Sequence, residues 1–358
     1  MEEAIIDTVT AEPLNFDLEE PFEIASGKKP KIENVFVKLT LMSGIEGYGE
    51  ASPLEPINGE NQSTVIAAIR SLSDFLKGKD VTDYEEISER MKSLLWAQAS
   101  ARAAVEMAIL DALTKTRGES LWDYYGGAED TIVTDYTISI VEPDTARKQA
   151  KKLSEKGFET LKTKVGKGDE EDLERLNAVS EGAPGCKLNI DANEGFDAEE
   201  AVAFTRKLED LGVKLNLFEQ PVKRYDLEGL KKVKEEIDVA VAADEAVFFL
   251  SDVRKIVEMR AANVVNIKLM KSGLKEGQEI ANLCKENGID LMVGCMLESM
   301  LGMTASVLFA SGIGGFKYID LDPRPEVFTA PFKGGAKLEG NRYKDINGVR
   351  PGHGIELE

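Results

Sequence analysis

From about residue 130 onward, short β-rich runs recur at a nearly constant interval. They are "VTDYTISI", "TLKTKVG", "CKLNIDANEG", "KLNLFEQP", "VAVAADEA", "NVVNIKLMKSG", "IDLMVGCMLES" and "FKYIDLDP". A residue near the end of each run from the second onward is Lys164, Asp191, Glu219, Asp244, Lys268, Gly294 and Asp320, so the steps are 27, 28, 25, 24, 26 and 26 residues. Between most of the runs lie amphipathic stretches such as "DTARKQAKKLSEKG", "DAEEAVAFTRKLEDLG" and "LKEGQEIANLCKENG". A hairpin needs only a tight turn, whereas this interval fits a strand plus a crossover helix, repeated. Eight such units predict a parallel (β/α) barrel. A doubly wound sheet is the runner-up and would be unusually wide.

The preceding residues follow another pattern. "AIIDTVTAEPL" and "ENVFVKLTLMSGIEGYGEAS" alternate as strands, with a hairpin signal at Ser43-Gly44. "STVIAAIRSLSDFLKG", "YEEISERMKSLL" and "SARAAVEMAILDALTKTRG" read as helices, the last ending at Gly118, a C-cap residue. Strands followed by helices predict an α+β unit over 1–125. Segments 21–31 and 53–62 read as loops. After the barrel, "FKGGAKLEGNRYKDINGVRPGHGIELE" is Gly-rich and hairpin-like, and is expected to return to the first unit.

Composition narrows the chemistry. A formal net charge of −21 argues against nucleic acid and anionic membranes as partners. The amino terminus has no apolar signal core, and no apolar run approaches membrane-spanning length, so a cytoplasmic location is expected. Cys186, Cys284 and Cys295 form no zinc pair or disulfide framework, which also suits a reducing compartment. The only histidine is His353, the sixth residue from the end, and it reads as a surface or packing residue, with a role at a domain junction as the other reading. Ser-His-Asp, Cys-His and His-rich metal sites therefore have almost nothing to work with. The sequence leaves a homo-oligomer open.

In a barrel of this kind the strand C-termini carry the active site. Here six of the seven positions above are charged, each after an apolar run. Asp191, Glu219 and Asp244 fall on adjacent strands. Three carboxylates without histidine or thiolate make a hard-oxygen site that suits Mg²⁺, with Mn²⁺ as the second candidate. Asn193 could add a ligand or hold a water. The bland alternative is a set of surface acids capping helices. Lys162 and Lys164, at i and i+2, share a strand face, and Lys268 stands on the far side of the acids. Lysines held near a metal and other cations should have depressed pKa values and serve as bases. Two of them facing each other across a carbon would support a 1,1-proton transfer, with a cation stabilising the enediolate of a carboxylate substrate.

The ordered set KxK, DxN, EQP, ADE and NIKLMKSG, with "GYGEASP" early and "PGHGIEL" late, resembles the enolase superfamily in its muconate-lactonizing subgroup. The resemblance covers essentially the whole chain. It implies an α/β chain with a (β/α)7β TIM-type barrel over 126–325, an N-terminal capping domain and a C-terminal segment, 326–358. It also implies Mg²⁺ on Asp191, Glu219 and Asp244, Lys164 and Lys268 as acid/base groups, and Lys162 against the substrate carboxylate. Asp320 and Asp322, in "IDLDP", are similar to the pair with which dipeptide epimerases bind an α-ammonium; Asp322 also reads as a turn residue before Pro323. Thr137 and Cys295, Met296 and Leu297 would be pocket wall. The Ala-Glu-specific branch places an arginine in the 20s loop, where this chain has Gly27 followed by Lys28 and Lys29. With Phe22, Ile24 and Leu297 nearby, a dipeptide with a hydrophobic or aromatic second residue is expected, and L-Ala-L-Glu is the other candidate, with Lys28 or Lys29 standing in for the arginine. An o-succinylbenzoate synthase or other cycloisomerase on the same scaffold is the alternative, and a non-catalytic binding barrel is the alternative of another class.

Overall fold

The recurrent interval is a strand and its crossover. The structure, a computed structural model, describes residues 4–24, 27–166, 169–323, 327 and 331–358, with the backbone alone at 18–24, 27–30 and 169. Three antiparallel strands come first: β1 (Ile6–Ile24), β2 (Gly27–Leu41) and β3 (Glu46–Ala51), in the order β1-β2-β3. The β2–β3 turn contains Gly44, whose φ of 86° lies in the left-handed region that glycine tolerates. Helices Gln62–Leu76, Tyr84–Leu94 and Ala99–Arg117 follow. The third is buried on almost every face, which is why its sequence lacks a polar stripe. It lies directly on β3, because Gly47 and Gly49 leave room: a Cβ on either would fall about 2 Å from the helix carbonyls of Ala108 and Ala104.

The segment expected to be a loop at 21–31 is instead largely strand. Phe22 pairs with Lys29, Glu23 with Lys28 and Ile24 with Gly27, while residues 25 and 26 lie outside the described residues. The segment at 53–62 contains a short helix, Glu55–Asn58.

After a short arm, β4 (Ile132–Val133), the barrel strands are β5 (Tyr136–Ile138), β6 (Thr160–Lys164), β7 (Lys187–Asp191), β8 (Leu215–Glu219), β9 (Ala240–Ala243), β10 (Val264–Ile267), β11 (Asp290–Gly294) and β12 (Phe316–Asp320). They form one parallel sheet in sequence order. The ring is drawn together between β12 and β5 by hydrogen bonds: Asp135 N donates to Ile319 O at 3.0 Å and Leu321 N to Thr134 Oγ1 at 3.0 Å. Seven helical crossovers join eight strands, a (β/α)7β barrel. Inside, Leu217, Ala242, Val264, Met292 and Tyr318 form an apolar cluster. Each of them precedes the end of its strand, which is charged or followed by a charged residue in all but Met292's strand, so this layer plugs the barrel and the ionisable side chains lie at its C-terminal mouth.

The C-terminal segment pairs β13 (Phe332–Gly334) with β16 (Ile355–Leu357), and places β14 (Lys337–Glu339) and β15 (Arg342–Lys344) beside β4. His353 is completely buried here. Its Nδ1 accepts from Ile355 N at 3.1 Å, so the neutral ring carries its proton on Nε2, which faces Tyr48 O at 3.1 Å and Asp111 Oδ2 at 3.2 Å. It is therefore a packing residue that ties the tail to β3 and the Ala99–Arg117 helix, and the surface alternative is excluded.

Candidate active site

The strand register brings the charges together. Lys162 is cross-strand from Thr137 and Asn189, Lys164 from Asp191, and Asp191 from Glu219. Asp244 and Lys268 stand one residue beyond β9 and β10. Local turns set their directions. Asn193 and Glu194 take positive φ values of 41° and 71°, which folds the chain back so that Asn193 N donates to Asp191 Oδ1 at 2.9 Å. Gln220, with φ of 35°, receives Asp244 N at 2.9 Å and Ala246 N at 3.1 Å on its side-chain oxygen. Such backbone strain is retained where surrounding contacts over-determine it.

Asp191, Glu219 and Asp244 are buried, and each offers a carboxylate oxygen within 4.8 Å of the other two. Lys162 Nζ lies 2.6 Å from Glu219 Oε2, 2.6 Å from Asp320 Oδ2 and 3.1 Å from Asp191 Oδ2. Lys164 is paired with Asp191, and Lys268 Nζ with Asp244 Oδ2 at 2.6 Å. Glu219 Oε2 has no hydrogen bond of good geometry, and the side-chain oxygens Asn193 Oδ1 and Asn266 Oδ1 have none either. A donor set of oxygens alone, buried and converging, fits a hard divalent cation such as Mg²⁺.

Above these acids is a cavity. Lys164 and Lys268 both line it, as do Lys162, Asp320, Asp322, Thr137, Cys295, Met296 and Leu297. Lys164 ends the second barrel strand and Lys268 follows the sixth, four places around a ring of eight, so they enter from opposite sides. Gly294 is the one uncharged residue in the strand-end series. A Cβ there would lie 2.9 Å from both the Lys268 Cε and the Asn266 amide, so the missing side chain makes the space those two occupy. Asp322 Oδ1 accepts from Thr137 N at 3.4 Å, across the seam between the eighth and first strands.

The N-terminal-domain model of the mandelate racemase / muconate lactonizing enzyme family matches residues 5–126, and the enolase C-terminal domain-like model matches 145–358. The chain belongs to this family. Among curated members it is 41% identical to the L-Ala-D/L-amino acid epimerase of Populus trichocarpa, over 96% of this chain and 84% of that protein. It is 37% identical to the aromatic dipeptide epimerase of Herpetosiphon aurantiacus, over 98% and 99%. Among solved structures, the dipeptide epimerase of Enterococcus faecalis with Mg and L-Leu-L-Tyr superposes with a TM-score of 0.94 at 33% identity, covering 98% of this chain and 99% of that one.

Two opposing influences act on the lysines: the neighbouring carboxylates raise them, while a divalent cation held by those same acids, and the other lysines, would lower them. Burial works to lower the Lys268 ammonium, but Asp244 and Glu219 outweigh it and hold the group above its ordinary value. Lys162 is likewise raised, by Asp191, Asp320 and Glu219 against burial. Burial pushes Glu219 up to about 8, with Asp191 adding to it. Burial also opposes ionisation of Asp191, yet Lys162 and Lys164 bring it below the usual carboxylate range.

Sequence reasoning missed Lys271. It is buried and its Nζ lies 2.5 Å from Asp244 Oδ1, on the carboxylate oxygen that Lys268 does not use. It stands three residues after Lys268 in "NIKLMKSG", so the signal was a second lysine at helical spacing. It also missed Asn266, which donates to Glu219 Oε1 at 2.9 Å. Among the described residues no helix is long and apolar enough to cross a membrane, and Cys186, Cys284 and Cys295 are unpaired thiols. The side chains of Phe22, Ile24, Lys28 and Lys29 lie outside what is described.

Proposed function

We propose that this chain is an isomerase that epimerises the second residue of L,L-dipeptides, with Lys164 and Lys268 as the acid/base pair. The observation that carries this reading is the entry of those two lysines into one cavity from opposite sides, above three buried carboxylates. In the forward direction one lysine takes the α-proton of the second residue, and the C–H pair moves into the terminal carboxylate as an enediolate. The other lysine then donates a proton to the opposite face of that carbon, and the pair returns to form the new C–H bond. The roles exchange in the reverse direction. Asp191, Glu219 and Asp244 would hold Mg²⁺, or Mn²⁺ with the same oxygen preference, whose charge makes the enediolate accessible. Lys162 lies between these acids and Asp320, where it can bond a substrate carboxylate oxygen and the charge that develops on it.

Asp320 and Asp322 place two further acids on the cavity wall. They suit the α-ammonium of a dipeptide and would repel the all-anionic substrates of a cycloisomerase or o-succinylbenzoate synthase. Away from the Cys295–Leu297 stretch the wall includes Ile32, Met303 and Val327, and among the described lining residues the only cations are Lys162, Lys164 and Lys268. The apolar side chains of that wall suit a hydrophobic or aromatic second residue.

The test is incubation with a panel of L,L-dipeptides in D₂O with Mg²⁺, followed by NMR. Deuterium should enter the α-position of the second residue with formation of the L,D epimer, fastest for apolar second residues. Absence of exchange across the panel would refute the reading.

A further inference from the structure

The cavity wall beside Asp320 and Asp322 is fixed by side chains of the capping sheet. Gly294 pairs with Asp320, so the next residues, Cys295–Leu297, run alongside the two carboxylates. Asn34 Nδ2, from β2, donates to Leu297 O at 2.8 Å, and Leu297 N donates to Ser52 Oγ at 3.2 Å. Glu50, from β3, has no exposed surface. Its Oε1 accepts from Asn34 Nδ2 at 2.7 Å and Ser299 N at 2.8 Å, and its Oε2 from Ser299 Oγ at 2.6 Å and Gly302 N at 2.9 Å. The carboxylate thus binds the wall and the first turn of helix Met300–Ile313 together.

We propose that Glu50, with Asn34 and Ser52, is a positioning residue that sets selectivity for the first residue of the dipeptide by fixing the backbone of the Cys295–Ser299 wall. This rests on the dipeptide reading, in which Asp320 and Asp322 hold the substrate's α-ammonium. The side chain of the first residue leaves the carbon that carries that ammonium, so the wall next to the two acids is the surface it meets.

Glutamine cannot replace Glu50 here. With its amide nitrogen in place of Oε2, it confronts the Gly302 N–H, donor against donor. With the nitrogen in place of Oε1, it confronts the Ser299 N–H, and turning Asn34 to accept from it would surrender the bond to Leu297 O. One backbone donor is unsatisfied either way, and a buried donor without a partner forces local rearrangement.

The test compares kcat/KM for dipeptides that share a second residue and differ in the first, L-Ala-L-Phe against L-Leu-L-Phe, in the wild type, Glu50→Gln and Asn34→Ala. A ratio cancels any loss of folded enzyme, so a purely structural defect leaves it unmoved. The expected result is a change of about tenfold in that ratio. The ratio for L-Ala-L-Phe against L-Ala-L-Leu should remain within about twofold, and Glu50→Asp should restore part of the first-residue selectivity. An unchanged first-residue ratio in both variants overturns the proposal, and so does an equal shift in the second-residue ratio. Failure of the dipeptide reading has a different signature, a wild type that exchanges no α-proton on any dipeptide, and that would overturn both.

Discussion

Replacing Lys164 and Lys268 by glutamine, one at a time, separates two events that the wild type performs together. Each variant keeps one lysine, and that lysine faces one side of the reacting carbon. It can still remove the α-proton from the epimer whose hydrogen points toward it, exchange with solvent, and return deuterium to the same face. Inversion requires the missing partner. Loss of a positioned acid or base costs ~10²–10⁴ in rate, or ~3–5 kcal/mol of barrier. The stability cost should be smaller than that of orphaning a buried charge, ~3–5 kcal/mol. In Lys268→Gln, Asp244 keeps Lys271 at 2.5 Å, and in Lys164→Gln, Asp191 keeps Lys162 at 3.1 Å and Asn193 N at 2.9 Å. Both variants should therefore fold, as thermal melts will show. NMR in D₂O, started separately from the L,L and L,D dipeptides, should find one variant exchanging only the first and the other only the second. Exchange of the same epimer by both variants would place the two amines on one face and refute the two-sided geometry, as would epimerisation by either variant within about tenfold of wild type.

Asp322→Asn should depress dipeptide turnover strongly, mainly through KM, while calorimetric titration finds Mg²⁺ affinity nearly unchanged; a large loss of metal binding would contradict its place on the ammonium side of the cavity. Mg²⁺ at about a hundred times its Kd should stabilise the wild type by ~2.7 kcal/mol, and Asp191→Asn should abolish most of that shift in a thermal melt. Burial holds the His353 imidazole below its ordinary 6.5, although Asp111 pulls it upward. The unfolded chain therefore takes up a proton near pH 6.5 that the native chain refuses, so this residue's contribution to stability is present above that pH and lost below it. The melting-temperature advantage of wild type over His353→Gln should shrink between about pH 7.5 and about pH 5.5, and growth of that advantage would show the ring to be charged in the folded state.

The parts of the site legible in the sequence are those with a regular period. Asp191, Glu219 and Asp244 stand out because charges follow buried apolar strands at one repeated interval, and the barrel turns that interval into proximity. The segment at 21–31 was misread because Pro21 and Pro30 normally interrupt a ladder. Here Pro21 lies on the edge strand β1, and β3 pairs with β2 only from Val35 onward, so Pro30 also has a neighbour on one side alone. A proline there forfeits no second ladder. The raised Lys268 was out of reach for another reason: the sign of its shift depends on which charges lie nearest, and Asp244 is 24 residues away in the chain but 2.6 Å away in space.

Glu50 and Glu106 were invisible for the same reason and share one use. Both come from the capping unit, both are buried, and each ends on the first turn of a barrel helix. Glu106 Oε2 accepts from Leu274 N at 2.6 Å and Lys275 N at 3.1 Å, at the start of helix Leu274–Glu286. The approach is so close that a Cβ on Gly273 would fall 2.7 Å from that oxygen. An anion at a helix N-terminus meets unpaired N–H groups and the positive end of the dipole, which offsets part of its desolvation. The helix that Glu106 meets begins just after Lys268 to Ser272, and the helix that Glu50 meets begins just after Cys295 to Ser299. The two carboxylates therefore grip the chain immediately beyond one of the paired lysines and beyond the wall next to Asp320. Movement of the capping unit relative to the barrel would be felt first at those two segments, while the trio of acids, held by bonds within the barrel, would stay in register.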